Sequence, residues 1–256
     1  MTQFADAEYI KSHTGFSDIT LLESVDSTNK YLKRYAHEKK EGAVVIAKTQ
    51  SSGRGRLGRT FHSPENGLYM SVLIDVSLFW SEELIKITGV AAVALTRTIE
   101  HFTDIKPQIK WVNDIYFSGK KVCGILAETS FSIEGKPEYC VLGIGVNLFE
   151  PQNGFDKSIE DIAGSVFGEK NDRISINEFS SHLINELFAL LKKDCTKEYG
   201  SHLMLMGKTV RYTLNGHEAE GTVIGIDSLF GLIVETNGKK TVLRSGEAEL
   251  IKQNYE

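Results

Sequence analysis

The chain has 256 residues, 34 acidic and 29 basic, for a formal net charge of −5; domains built mainly to bind nucleic acid are basic overall, so that task is disfavoured. Its 41% hydrophobic and 25% charged residues are ordinary for a soluble globular protein and leave room for one large domain and a small one. No apolar run is long enough to span a bilayer, Met1 to Asp6 lack the basic and apolar regions of a secretory leader, and Cys123, Cys140 and Cys195 have no metal-ligand spacing, which reads as reduced, buried thiols in a cytoplasmic protein.

Residues 1 to 18 show no pattern. Ile19 to Glu23 reads as a strand. Asp26-Ser27-Thr28-Asn29 then precedes Tyr31, Leu32, Tyr35 and Ala36 at helical spacing. These are favoured N-cap types, so capping alone accounts for them, although hydroxyl and amide groups at a helix start can also face a polar ligand. Strands are expected over 43–48 and 67–75. Between them runs Gln50-Ser51-Ser52-Gly53-Arg54-Gly55-Arg56-Leu57-Gly58-Arg59. Glycine permits positive φ and close backbone approach, and arginine offers a forked, permanently charged donor. A clamp for an anionic small molecule fits this loop; a solvated loop or an RNA contact fits the residue types as well. Its glycines and mutually repelling arginines predict that 51–64 is mobile until an anion arrives.

Ser81 to Phe102 reads as an amphipathic helix with Leu84, Ile87, Val90, Ala91, Ala94, Leu95 and Ile99 on its core stripe. The stretch from Ile109 to Glu128 reads as strand, turn at Asn113-Asp114, strand, turn at Ser118-Gly119-Lys120, and strand. Lys110 falls among residues expected to be buried, where an ammonium needs an anion or must reach water. Tyr139 to Phe149 is a further strand. Its Gly143-Ile144-Gly145 could admit a ligand or mark a bulge. A short helix is expected near Ile159 to Phe167, and a long one from Ser175 to Tyr199. From Gly207 to Ile251, short alternating strands are separated by Asn215-Gly216, Asp227-Ser228, Asn237-Gly238 and Ser245-Gly246. This predicts a five-stranded β-module and two domains, 1–204 and 205–256.

Four groups of residues thus stand in order: Ser27-Thr28-Asn29; Gln50 with Gly53 to Arg59; Lys110-Trp111-x-Asn113-Asp114 with Lys121-x-x-Gly124-Ile125-Leu126; and Gly143-Ile144-Gly145-Val146-Asn147. Together, from about residue 19 onward, they resemble the biotin protein ligases, also called biotin–[acetyl-CoA-carboxylase] ligases. The resemblance implies an α+β fold: a mixed sheet with helices like the class II aminoacyl-tRNA synthetase core, followed by an SH3-like barrel. It implies that biotin and ATP, with Mg²⁺, give biotinyl-5′-AMP, and that biotin then passes to a lysine of a carboxylase's biotin carboxyl carrier domain. Position by position it implies Ser27, Thr28, Asn29 and Gln50 at the biotin ureido ring. Arg54, Gly55 and Arg56 would cover the carboxylate and adenylate phosphate, and Gly53 and Arg59 would hold ATP phosphates. Lys110 would bridge carboxylate and α-phosphate, with Arg56 as its catalytic partner. Gly124 would line the biotin tail, and Asn113 and Asn147 would lie on the nucleotide side.

Phe61 replaces a tryptophan that stacks on adenine in some members. Other members carry an N-terminal helix-turn-helix; about eighteen residues precede the resembling region here, so no DNA-binding role is expected. The resemblance leaves monomer and homodimer open and implies neither a metal held by protein ligands alone nor a membrane. A lipoate or octanoate ligase on the same core is the alternative, less similar at both the arginine loop and the Lys110 turn.

Overall fold

The computed structural model describes residues 4–170, 174–214, 216–244 and 248–250. Seven strands form the main sheet: β1 (Ile19–Val25), β2 (Val44–Gln50), β3 (Leu68–Ile74), β4 (Gln108–Lys110), β5 (Asp114–Phe117), β6 (Lys120–Phe131) and β7 (Pro137–Val146). Their order is β1-β2-β3-β7-β6-β5-β4. Only β1 and β2 run parallel; every other pair is antiparallel.

Strand β3 is buried along its whole length, as befits a central strand covered on both faces. Leu68, Met70, Val72 and Ile74 face the larger core with helices α3 (Lys86–Phe102) and α4 (Ile176–Leu190). Leu73 faces the smaller one, where helix α2 (Thr28–Arg34) buries Leu32 against Val45 and Val141. Successive strand side chains alternate faces. Ser71, two residues from Leu73, therefore points towards α2, fully buried in an otherwise apolar strand.

Strands β8 (Thr209–Leu214), β9 (His217–Ile226), β10 (Leu232–Thr236), β11 (Lys239–Leu243) and β12 (Ala248–Leu250) form an antiparallel sheet in the order β11-β10-β9-β8-β12. The β10–β11 hairpin turns at Asn237 and Gly238, both at positive φ, as the Asn-Gly pair predicts. Asn215 and Ser245-Gly246, parts of two other expected turns, lie outside the described residues. The mixed α+β architecture and the small β-module agree with expectation. Among the described residues, no helix is long and apolar enough to cross a membrane.

Four local expectations are corrected. The patternless N-terminal segment contains α1 (Ala7–Thr14), capped by the Asp6 carboxylate and closed by Gly15 at φ 75°. The helix expected from Ser81 begins as a separate 3-10 turn, Ser81–Glu83, and becomes α-helical only at Lys86. Residues 159–167 form turns rather than a helix, because Ile162 and Gly164 give their backbone bonds to Lys121 of β6. The long helix to Tyr199 ends at Leu190; Asp194 accepts from the Thr196 amide and starts a new helix, α5 (Thr196–His202).

Gly89 sits in the middle of α3, where glycine costs about 1 kcal/mol relative to alanine. A Cβ there would lie 2.4 Å from the ring of Phe230, on the β9–β10 loop. The glycine thus makes room for the second sheet to dock.

Candidate functional site

Helix α2 points its N-terminus at the seam of β3, β7 and β6. Ser27 is its N-cap residue, yet the side chain makes no capping bond; capping therefore does not account for this polar run. Thr28 donates its amide to Gln50 Oε1 at 2.8 Å, and its hydroxyl lies 3.1 Å from the same atom. Gln50 Nε2 donates to Ser63 Oγ at 2.8 Å. Asn29 Nδ2 donates to Glu128 Oε2 at 2.8 Å and to the Leu126 carbonyl at 3.3 Å. That fixes the amide's orientation, since the oxygen could not face two acceptors. Asn29 Oδ1 is then 2.6 Å from Ser71 Oγ, which also lies 2.7 Å from Thr28 Oγ1. Ser71 and Thr28 have one hydroxyl proton each to give, so two protons serve the three contacts that link Asn29 Oδ1, Ser71 Oγ, Thr28 Oγ1 and Gln50 Oε1.

Both glycines of Gly143-Ile144-Gly145 are explained by side chains packed on them. A Cβ at 143 would lie 2.2 Å from Asn29 Oδ1, and one at 145 would lie 2.5 Å from the Phe61 ring. The β3–β7 register runs unbroken through both, so neither marks a bulge there. Phe61 also covers Gly124, 3.1 Å from where its Cβ would be. The ring therefore stands in the same pocket as Ser27, Thr28, Asn29, Gln50, Arg54 and Gly124, and leaves a cavity of about 30 Å³.

The glycine-arginine loop is a closed hairpin rather than an open coil. Gln50 N bonds Ser63 O, Phe61 N bonds Gly53 O, Gly55 N bonds Arg59 O and Arg59 N bonds Arg56 O. Leu57 at φ 55° and Gly58 at φ 75° form its tip. A Cβ on Gly53 would lie 2.2 Å from the Phe61 carbonyl oxygen. The Arg54 guanidinium reaches Glu128 at 3.0 Å, and Arg56 donates to Asn113 Oδ1 at 3.0 Å. Asn113 Nδ2 in turn donates to the Ile125 carbonyl, so Arg56 rests on the turn that follows Lys110. Lys110 ends β4, half-buried rather than buried. Its ammonium makes no ion pair among those found between the described residues. Asp114 pairs through Oδ2 with Lys121 at 2.6 Å, while its Oδ1 is buried without a partner. Asn147 stands apart from this pocket and donates Nδ2 to the Gly164 carbonyl.

A second cavity, of about 540 Å³, shares Gln50 with the first and is walled by His62, Ser63, Pro64 and the 153–159 segment. All three cysteines are buried with free thiols, and burial pushes each pKa up. A raised pKa disfavours the thiolate, which is the nucleophilic form of cysteine.

Sequence reasoning missed Ser71, Glu128 and the second cavity. A serine inside Leu68–Ile74 was the available signal for the first. Glu128 receives bonds from Asn29, Lys33 and Arg54. Burial would raise its pKa, but the bonds from Asn29 and Lys33 and the charges of Lys33 and Arg54 outweigh it and hold the carboxyl below its usual range. A depressed pKa contributes stability that is present above the ordinary value of about 4.3 and lost as pH falls through the folded-state value. The melting-temperature gap between wild type and Glu128→Gln is expected to be steady from about pH 5 to about pH 7 and to narrow below about pH 4. A gap that widened on acidification would contradict this.

A profile of the biotin/lipoate A/B protein ligase family matches residues 21–147. The bifunctional ligase/repressor BirA of Bacillus subtilis is 34% identical over 229 residues; the match covers 82% of this chain and 66% of that protein's length. The biotin–[acetyl-CoA-carboxylase] ligase of Mycobacterium tuberculosis is 25% identical, covering 94% of this chain and 91% of the relative. Among solved structures, the biotin protein ligase from Aquifex aeolicus in complex with biotin and ATP superposes with a TM-score of 0.76 at 28% identity, covering 93% of this chain and all of that one.

Proposed function

From the chain's membership of the biotin/lipoate A/B protein ligase family, we propose that it is an ATP-dependent biotin protein ligase working in two steps. The biotin carboxylate attacks the α-phosphorus of ATP, forming biotinyl-5′-AMP and expelling pyrophosphate. A lysine amine of a biotin carboxyl carrier domain then attacks the anhydride carbonyl, and AMP leaves. The observation that carries this reading is a preset polar floor beside a cationic rim of Arg54, Arg56 and Lys110. Such a rim suits a reaction that brings two anions together, where catalysis is largely positioning and charge stabilisation.

Ser27, Thr28, Asn29 and Gln50 hold the ureido ring, and Gly124 flanks the tail. Phe61 yields its place and packs on the ligand. Lys110 and Arg56 act at the reacting oxygens, with Arg54 and Gly55 beside them. Gly53 gives the loop its close turn. Arg59, Asn113 and Asn147 serve the nucleotide side, and the cavity between His62 and the 153–159 segment receives adenosine. Mg²⁺ accompanies the triphosphate and neutralises part of its charge. Asp114, whose Oδ1 is buried without a hydrogen-bond partner among the described residues, would offer the ion a carboxylate oxygen. The catalytic unit is residues 1–204 and the SH3-like unit is 205–256, in a cytoplasmic protein.

The direct test is incubation with biotin, Mg-ATP and a carrier domain, read by mass spectrometry for a biotinylated lysine. Biotin should also raise the melting temperature and lipoate should not; the reverse would support the lipoyl alternative. Glu128→Ala is expected to weaken biotin binding about tenfold, the cost of loosening a charge-assisted contact that orients Asn29, with ATP affinity unchanged. Calorimetry showing equal biotin affinity would remove Glu128 from the site. The net charge of −5 supports a protein without a DNA partner, and no footprint on operator-like DNA is expected at physiological salt.

A further inference from the structure

Among the described residues the Lys110 side chain makes no hydrogen bond or ion pair, yet the residues around it are held from outside the strand. The Met204 amide donates to the Ile109 carbonyl at 2.9 Å. Tyr199 Oη, on α5, donates to the Val112 carbonyl at 3.2 Å. Trp111, 4% exposed, donates its indole N–H to the Phe230 carbonyl at 2.8 Å. Phe230 belongs to the β9–β10 loop of the C-terminal sheet. It takes the left-handed conformation at φ 59°, unusual for an aromatic residue, and its ring lies on Gly89 and edge-on to Tyr199, with centroids 5.1 Å apart. Asp227 fixes this loop by accepting from the Leu229 and Gly231 amides and pairing with Arg244.

We propose that the Phe230 loop of the C-terminal sheet is a positioning element for the first chemical step, aiming Lys110 at the reacting oxygens through the Trp111 indole. This rests on the reading of Lys110 given above. The loop touches no reacting atom. Its carbonyl and its ring set where the residue after Lys110 sits, and a displacement of about 1 Å at a reacting group can cost on the order of a hundredfold in rate. The β-module is then part of the adenylating machinery.

The test is a double-mutant cycle on biotin-dependent pyrophosphate release. Trp111→Phe keeps an aromatic ring of smaller size and removes the N–H; Gly89→Ala favours the helix but presses a methyl group into Phe230. Each is expected to lower kcat for adenylation about tenfold to a hundredfold, with the KM for biotin within about twofold. In the Lys110→Ala background, each is expected to change nothing further, as residues acting as one unit are non-additive. Should that background be too slow to measure, amine-selective acylation followed by peptide mass analysis gives the same answer. Labelling of Lys110 should change at least threefold in both variants, while labelling of exposed Lys136 should not. Should Trp111→Phe fail to fold, Gly89→Ala alone decides. Equal losses in both backgrounds, or unchanged labelling of Lys110, would overturn the proposal. If Lys110→Ala alone adenylates like wild type, the role of Lys110 itself is wrong and the proposal falls with it.

Discussion

Lys110→Ala is expected to cut adenylate formation by about a hundredfold to a thousandfold, the usual cost of removing one preorganised charge-stabilising donor. The melting temperature should shift little. The side chain is half-buried at the end of a three-residue strand, and its ammonium has no described anionic partner whose charge would be stranded. On the proposed reading, a lysine without a partner among the described residues, on the strand end that leads into the Asn113 turn, awaits an anion that arrives with the substrates. Its favourable energy is therefore realised when carboxylate and phosphate meet, which lowers the barrier rather than the ground state. Pyrophosphate release measured with biotin and Mg-ATP checks this. A variant within threefold of wild type would remove Lys110 from the chemistry.

Arg56→Gly is expected to make the adenylate but fail to keep it. Arg56 lies on the hairpin, and among the described residues its guanidinium bonds the Asn113 side chain. Lys110 lies on a strand. On the proposed reading, the strand residue serves formation, and the loop residue covers the phosphate and excludes water until a carrier lysine comes. One charge-assisted hydrogen bond contributes about 1.5–3 kcal/mol, so biotinyl-AMP should escape about tenfold to a hundredfold faster. Escaped anhydride acylates any exposed amine it meets. Serum albumin mixed with the variant, biotin and ATP should gain biotin, whereas albumin mixed with wild type should gain little. If the variant releases pyrophosphate normally and albumin stays unlabelled, retention is not the work of Arg56.

Much of the fold was legible because its signals are local. The buried strands, the Asn237-Gly238 turn and the apolar stripe of α3 depend on periodicity and turn chemistry. The ordered polar and glycine-arginine groups likewise named residues that the fold brings to one pocket: Ser27, Thr28, Asn29, Gln50, Arg54 and Gly124. Contacts between distant segments were not legible. Nothing near Gly143 or Gly145 announces Asn29 or Phe61, and Gly89 is explained only by a residue over a hundred positions away. The break after Leu190 was missed because apolar spacing persists across a boundary set by Asp194. Lys110 was expected to be buried because its neighbours are, yet a strand end can let a long side chain reach water.

The ring of Phe61 has a kinetic consequence. With it lying over Gly124 and Gly145, the remaining cavity of about 30 Å³ holds a few waters and no fused ring system. Ligand arrival is then gated by the protein: at rising ligand concentration the observed binding rate should climb and then level off at the rate at which the ring departs, and the measured affinity should understate the grip of the open pocket by the fraction of molecules in which it is open. The empty pocket keeps its polar floor under an aromatic ring.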